Sequence, residues 1–391
     1  MAFQNRIGGI DCARGIALIA IMIDHLPGNL LESVTLRNFA LCDSAEAFVF
    51  LSGVSVGIAY YRKSLIHGLA PVAWSCLSRA GRIYGVHIAL TLSAVAIFGL
   101  CYEFSSVPSL VEAHGRMVLF HQPVRGAIGV GLLTHQLGYF NILPLYIVLM
   151  AISPLILALA KFGPSLALLV SAAVYLAVRP FDLNLPTWPE PGAWFLNPFA
   201  WQLIFTLGVL AAIRWRGETV GRSPALWALC MLVTVAGAII VNDGFGFAPG
   251  LHQAVFASLD VGKQDQGLAR LINFLALAYL AATSPLFDRF GRTRLGEALQ
   301  SLGRHSLPIF AASSVLSAIG QAALAACGPS LTEDVAKALG FGYTLLCILG
   351  LFGLARYLEW RKTAKIDLHH TADRAHWQNW RSLDWARARG Q

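Results

Sequence analysis

Apolar residues run in stretches close to 20 residues along nearly the whole chain, separated by short polar segments. Each stretch is long enough, as a helix, to cross about 30 Å of hydrocarbon. The pattern predicts transmembrane helices over 8–27, 43–61, 83–101, 135–158, 163–179, 197–213, 224–242, 268–286, 305–326 and 338–357. The fold class that follows is all-α: a polytopic integral membrane protein with about ten transmembrane helices in one bundle. No linker interrupts residues 1–357, which read as one membrane domain. Residues 358–391 form a basic tail with Trp360, Trp377, Trp380 and Trp385, expected to lie as a helix on the membrane surface.

Composition agrees. Only 13% of the 391 residues are charged and the mean hydropathy is +0.61, too little polar surface for a soluble chain of this size. A net charge of +8 raises the question of nucleic acid, but the placement of the cations answers it differently. With the N-terminus inside, 21 Lys and Arg residues fall in inner segments and seven in outer ones, Arg14 lying within a span. That is the positive-inside asymmetry of a membrane protein, so the expected partner is the lipid bilayer and not a nucleic acid. It predicts a bacterial inner-membrane protein with both termini cytoplasmic. The first apolar stretch has no small-residue cleavage site after it and carries Asp11, Arg14, Asp24 and His25, which suits a functional helix better than a signal peptide. The seven cysteines are scattered, without CxxC or metal spacing, and read as small buried hydrophobes. No metal is expected.

Polar chemistry concentrates on the first two spans. Arg14 and His25 in IDCARGIALIAIMIDHLPGN are eleven residues apart, about 20° past three full turns. Both side chains therefore share a face, roughly 16 Å apart along the axis. Asp11 sits one turn from Arg14 and can pair with it. Either this is a structural ion pair with His25 merely at the helix end, or a polar face runs through the span to an imidazole. The second span opens DSAEAFVFLSG, placing Asp43 and Glu46 one turn apart at a helix N-terminus, where the dipole favours negative charge. Capping accounts for Asp43; Glu46 lies one turn deeper in an apolar helix. If the two helices form an antiparallel hairpin, Asp24, His25, Asp43 and Glu46 share one depth. An imidazole with a carboxylate beside it is the minimal general-base unit for activating a hydroxyl.

Two further segments carry candidates. In GRHSLPIF, Ser306 can cap a helix while Arg304 and His305 bind a phosphate or carboxylate at its start, or the segment is ordinary inner charge and a cap. The loop FDLNLPTWPEPGAWF offers Trp188 and Trp194, which with Trp201 form either an interfacial belt or the wall of a saccharide groove.

These motifs resemble the OpgC family of bacterial membrane proteins, implicated in succinylating osmoregulated periplasmic glucans. The residues that carry the resemblance are RGIALIAIMIDHLPGN, TLRNF, DSAEAFVFLSG, FLNPFAWQLIFTLG, LARLINFLALAYL and GRHSLPIF, spread over nearly the whole chain. The family is similar to wider transmembrane acyltransferases, acyltransferase family three and the heparan glucosaminide acetyltransferases. The R-x10-H pattern of the former is matched by Arg14 and His25. The resemblance implies a ten- or eleven-helix fold, a cytoplasmic acyl-CoA donor (succinyl-CoA or acetyl-CoA) and an outward-facing acceptor, a periplasmic glucan or another glycan. On that reading His25 is the base, Asp24, Glu46 and Asp43 support it, and Arg14, Asp11, Arg304, His305, Ser306, Trp188 and Trp194 bind donor or acceptor.

The rival classes are an O-acetyltransferase of another extracytoplasmic glycan and a transporter or flippase, since intramembrane Asp, Arg and His also mark ion and proton paths. No repeat relates the two halves and no matched pair of Gly/Pro-broken helices is evident, features that many transporters show. A homo-oligomer is left open. Cysteine labelling or reporter fusions at residues 112 and 188 should report outside; a cytoplasmic signal at either position would break the ten-span topology.

Overall fold

The computed structural model describes residues 2–26, 28–215, 220–327 and 331–388, with side chains placed except at 2–7, 288 and 365–388. Among the described residues it is helical without a strand, apart from an isolated bridge between Pro186 and Ala193. The long helices are α1 (Ala2–Asp24), α2 (Ser44–Val56), α3 (Leu69–Ser105), α4 (Ile142–Phe162), α5 (Pro164–Ala177), α6 (Pro198–Trp215), α7 (Pro224–Val241), α8 (Leu268–Thr283), α9 (Arg294–Arg304), α10 (Ser306–Cys327) and α11 (Glu333–Ala388).

Seven helices among the described residues are long and apolar enough to cross a membrane, eight if the bent pair Leu268–Thr283 and Pro285–Gly291 is one span. The chain is thus a multi-pass membrane protein. The difference from about ten has local causes. The span expected over 268–286 stops at Thr283, where Ser284 and Pro285 turn the chain by 63°. Proline cannot continue the hydrogen-bond ladder of the preceding helix. That expected over 163–179 is a 14-residue helix, about 21 Å long. α1 carries Asp11, Arg14 and Asp24, more charge than a simple lipid-facing span. The second span instead runs longer than expected: α2 continues through a π-helical turn at Gly57–Tyr61 into Arg62–His67. α11 passes position 357 without a break, and Glu359 beyond it pairs with Arg304 of α9. The expectations for Arg6, Arg216 and the tail tryptophans Trp377, Trp380 and Trp385 lie outside the described side chains.

Small residues set how the helices pack. Hydrocarbon gives no hydrophobic drive for one helix to leave lipid for another, so close backbone approach at glycine carries much of the association. α2 and α6 meet this way on both sides. A Cβ on Gly53 would lie 2.0 Å from the Phe205 carbonyl oxygen, and one on Gly208 2.2 Å from that of Phe50. α1 and the amphipathic α9 cross as closely, at Gly15 against Leu299 and Gly303 against Asp11. Around these contacts α3 packs on α4 and α10, α6 on α5, α7 on α8 and α10 on α11. Cys12, Cys42, Cys76, Cys230 and Cys347 are buried, as the apolar reading expects, whereas Cys101 is half-buried and Cys327 exposed.

Trp201 departs from the expected interfacial belt. It is fully buried, and its indole N–H donates to the Lys263 and Gln264 carbonyls at 3.1 and 3.2 Å. An indole whose one donor is bound inside the protein has no need of the headgroup region. Gly53→Leu should abolish the α2–α6 contact. Its expected outcome is loss of monodisperse protein on detergent size exclusion, with Gly53→Ala intermediate; unchanged yield and melting temperature for Gly53→Leu would refute the close-packing account.

Candidate functional site

The start of α2 shows why both of its carboxylates are there. Asp43 accepts from the Ala45 N–H at 2.8 Å, and Glu46 reaches back to the Asp43 N–H at 2.9 Å, so the pair is a capping box. Glu46 is completely buried, and its charge is met by Arg270 of α8, whose guanidinium donates to Oε1 from two nitrogens at 2.8 and 2.6 Å. Arg270 also reaches Asp43 at 3.2 Å, and Lys263 closes on the same oxygen at 2.5 Å. Lys263 is held by its surroundings: its carbonyl binds Trp201, Asn197 binds Asp265 and the Gln264 carbonyl, and Tyr175 donates to the Gln266 carbonyl. Four charges of opposite sign thus tie α2, α8 and the segment before α8 together. Asp43 and Glu46, expected to support His25, are instead engaged by Lys263 and Arg270.

His25 follows the last turn of α1, its N–H bonded to the Ile21 carbonyl at 3.0 Å and its own carbonyl bound by Gln321 of α10 at 2.6 Å. Its half-buried ring lies edge-on to Tyr139, centroids 4.9 Å apart, and Tyr139 meets His114 on its other side at 5.0 Å. Lys263 and Asp43 are the charges that act on it most directly. One carboxylate oxygen of Asp24 is buried without a partner among the described residues. His114 and Tyr139 both hold left-handed backbone, at φ 57° and 70°, which non-glycine residues adopt at a cost and which clusters at binding and active sites. Burial and then Arg116 lower the pKa of the His114 imidazole, which favours its neutral form. Arg116 stacks on Phe98 and donates to the Leu110 and Ser109 carbonyls. Beside this row opens a cleft lined by Leu26, Ser109, His114, Arg116, Tyr139 and Gln321, with about 580 Å³ of empty space including what opens to solvent.

Midway along α1 lies a second cleft, about 420 Å³ counted the same way, lined among others by Arg14, Ser52, Ser55, Arg79, Tyr146 and Ser306. Arg14 pairs with Asp11 at 3.1 Å and donates to Ser55 and to the Leu51 carbonyl. Arg79 lies among the phenols of Tyr60, on the π turn, and Tyr146. Two guanidiniums in one narrow cleft suit an anion. Of the GRHSLPIF candidates only Ser306 lines it; Arg304 turns to Glu359, and His305 occupies the kink between α9 and α10. Among the described residues no three His, Cys, Asp or Glu side chains come together as a metal site.

The tryptophan loop stands apart from both clefts. Trp188 is part-exposed and its backbone bonds Thr134; Trp194 is buried with its indole N–H unpartnered among the described residues. Sequence reading missed Arg270, Lys263, His114 and Tyr139 as site residues. The D-x-x-E start of the second span was a capping-box signal, and Arg270 lies in the LARLINFLALAYL motif; His114 and Tyr139 sit in irregular segments with no periodicity to mark them.

A family model described as OpgC protein matches residues 6–363. Among curated proteins and solved structures nothing matches. Removing one member of the buried pair should expose the other: Arg270→Met is expected to cost about 3–5 kcal/mol. Glu46→Gln, which keeps the shape and an acceptor, should cost less. Thermal unfolding in detergent checks the order, and equal stability of Arg270→Met and wild type would show that the pair is dispensable.

Proposed function

The chain belongs to the OpgC protein family, and from that premise we propose that it is a membrane acyltransferase moving an acyl group from cytoplasmic acyl-CoA to hydroxyls of a periplasmic glucan. Succinyl is the acyl group the family points to, with acetyl, or another extracytoplasmic glycan as acceptor, the runner-up. The protein is placed on this reading in the bacterial inner membrane with both termini cytoplasmic.

The observation that carries the proposal is a pair of unlike clefts, one at the middle of α1 and one just past its C-terminal end. The first, around Arg14, offers guanidiniums and hydroxyls suited to the phosphates of coenzyme A. The second, lined by His114, Tyr139 and Gln321, with the His25 ring edge-on to Tyr139, offers an imidazole, a phenol and an amide suited to a sugar hydroxyl. The acceptor oxygen attacks the thioester carbon while His25 takes its proton. The carbon–sulfur bond then breaks, and the proton returns to the departing thiolate, leaving ester and free coenzyme A. Asp43 and Lys263 set the field at the ring, and Tyr139 holds one edge of it.

Purified protein supplied with succinyl-CoA should release free coenzyme A when glucan is added. A general base contributes about 10²–10⁴-fold, so His25→Ala should lower transfer by at least about 100-fold while leaving the protein folded. His25→Asn, which hydrogen-bonds but takes no proton at neutral pH, should be nearly as poor. Near-normal transfer by His25→Asn would move the base elsewhere, with His114 next in line. Ion-dependent uptake of a solute into vesicles, with no turnover of any acyl-CoA, would establish a transporter instead.

A further inference from the structure

The most buried guanidiniums among the described residues are those of Arg116 and Arg270, 5% and 8% exposed. Their surroundings differ. Arg270 meets Glu46 and Asp43. Arg116 meets no carboxylate among the described residues. Its Nε and Nη2 donate to the Leu110 and Ser109 carbonyls at 2.7 and 2.9 Å, and its central carbon lies 3.9 Å from the centre of the Phe98 ring. The acids of the neighbouring segments do not answer it: Glu112 is exposed, and Glu32 pairs with Arg37 at 3.0 Å. Burial lowers the Arg116 pKa to about 10, which still leaves the group a cation at neutral pH.

Holding two carbonyls needs no charge. Asn29 holds those of Ile23 and Leu26 with a neutral amide, and Trp201 holds those of Lys263 and Gln264 with an indole. The clamp therefore explains the donors of Arg116 and not its charge. A buried cation without a counter-ion is costly, and a cleft is where a ligand can supply the missing anion. The cleft that Arg116 lines, with Leu26, Ser109, His114, Tyr139 and Gln321, has no Asp or Glu in its wall. A glucan hydroxyl and an acetyl group are uncharged and leave the guanidinium unmatched. The phosphates of coenzyme A have Arg14 and Arg79 in the other cleft. What remains of the reactants is the acyl chain, whose reacting carbon belongs at His25. Leu26, next to His25, and Gln321, which binds the His25 carbonyl, line the same cleft as Arg116.

We propose that Arg116 is the residue that selects the acyl group, receiving the far carboxylate of a dicarboxylic acyl chain whose thioester carbon lies at His25. The inference rests on the acyltransferase reading and deepens it: of the acyl groups left open there, the cleft favours succinyl over acetyl. Two N–H groups of Arg116 hold carbonyls, and the others are left for a carboxylate. The two carbonyls and the Phe98 ring fix the guanidinium before any ligand arrives, so little side-chain freedom is lost on binding. Arg116 acts at the far end of the chain, away from the bonds that form and break, and so sets specificity.

The test compares succinyl-CoA with butanoyl-CoA, which has the same four-carbon chain and no carboxylate, as donors to glucan. Full-length wild type, Arg116→Gln and Arg116→Met are each measured with both. Inactive protein in a preparation scales both rates alike and leaves their ratio intact. Wild type should show a kcat/KM at least about tenfold higher for succinyl-CoA, the scale of one hydrogen bond to a charged group. Arg116→Gln and Arg116→Met, which remove the charge, should bring the ratio toward one. A ratio that survives in either variant, even with both rates lowered, would make Arg116 a clamp or a contact of the acceptor. It would overturn the proposal while sparing the acyltransferase reading. Wild type that uses butanoyl-CoA as well as succinyl-CoA would do the same. Turnover of neither donor by wild type would remove the acyltransferase reading, and the proposal with it. The two variants differ in shape and in hydrogen bonding, so misfolding of one leaves the other to decide.

Discussion

A fully buried carboxylate needs a cation and hydrogen bonds wherever it goes, and in this protein Glu46 receives both from Arg270 and the α2 N-terminus. The demand fixes more than one contact. It sets where α2 begins, requires α8 to start alongside it, and draws the segment before α8 across α6 so that Lys263 meets Asp43. Trp201 and Tyr175, which look from their apolar neighbours like lipid-facing aromatics, are instead the donors that hold that segment in place. His25 then lies under the field of this cluster without sharing its hydrogen bonds.

A second constraint acts at the middle of α1. The guanidinium of Arg14 within an apolar helix is satisfied by Asp11 below it and by Ser55 and a carbonyl of α2 beside it. Those bonds need α1 and α2 close, and the glycine contacts of α2 with α6 and of α1 with α9 supply a bundle tight enough to hold them. The π turn after α2 places Tyr60 beside Arg79, which with Arg14 lines a cleft formed by five helices.

Membership of the OpgC family and the geometry carry different parts of the functional reading. The family supplies the reaction class. The geometry moves Glu46 from beside the imidazole into the frame, and sets Tyr139 against both His25 and His114.

Much of this was legible in the residues alone. Apolar runs of bilayer length and the skew of Lys and Arg give a helical membrane bundle, because hydrocarbon admits no other backbone that lacks strand partners. The eleven-residue step from Arg14 to His25 and the three-residue step from Asp11 to Arg14 are local helix geometry, and the structure keeps the ion pair that the second implies. What tertiary structure alone decided involves partners far apart in the chain. Nothing in helical periodicity says that Arg270 answers Glu46 224 residues away, or that Lys263 answers Asp43. Nor does it place Tyr139, whose left-handed backbone lies in an irregular segment, against both His25 and His114. Local spacing determines which side chains share a helix face; which face meets which neighbour depends on packing and charge satisfaction summed over the whole bundle.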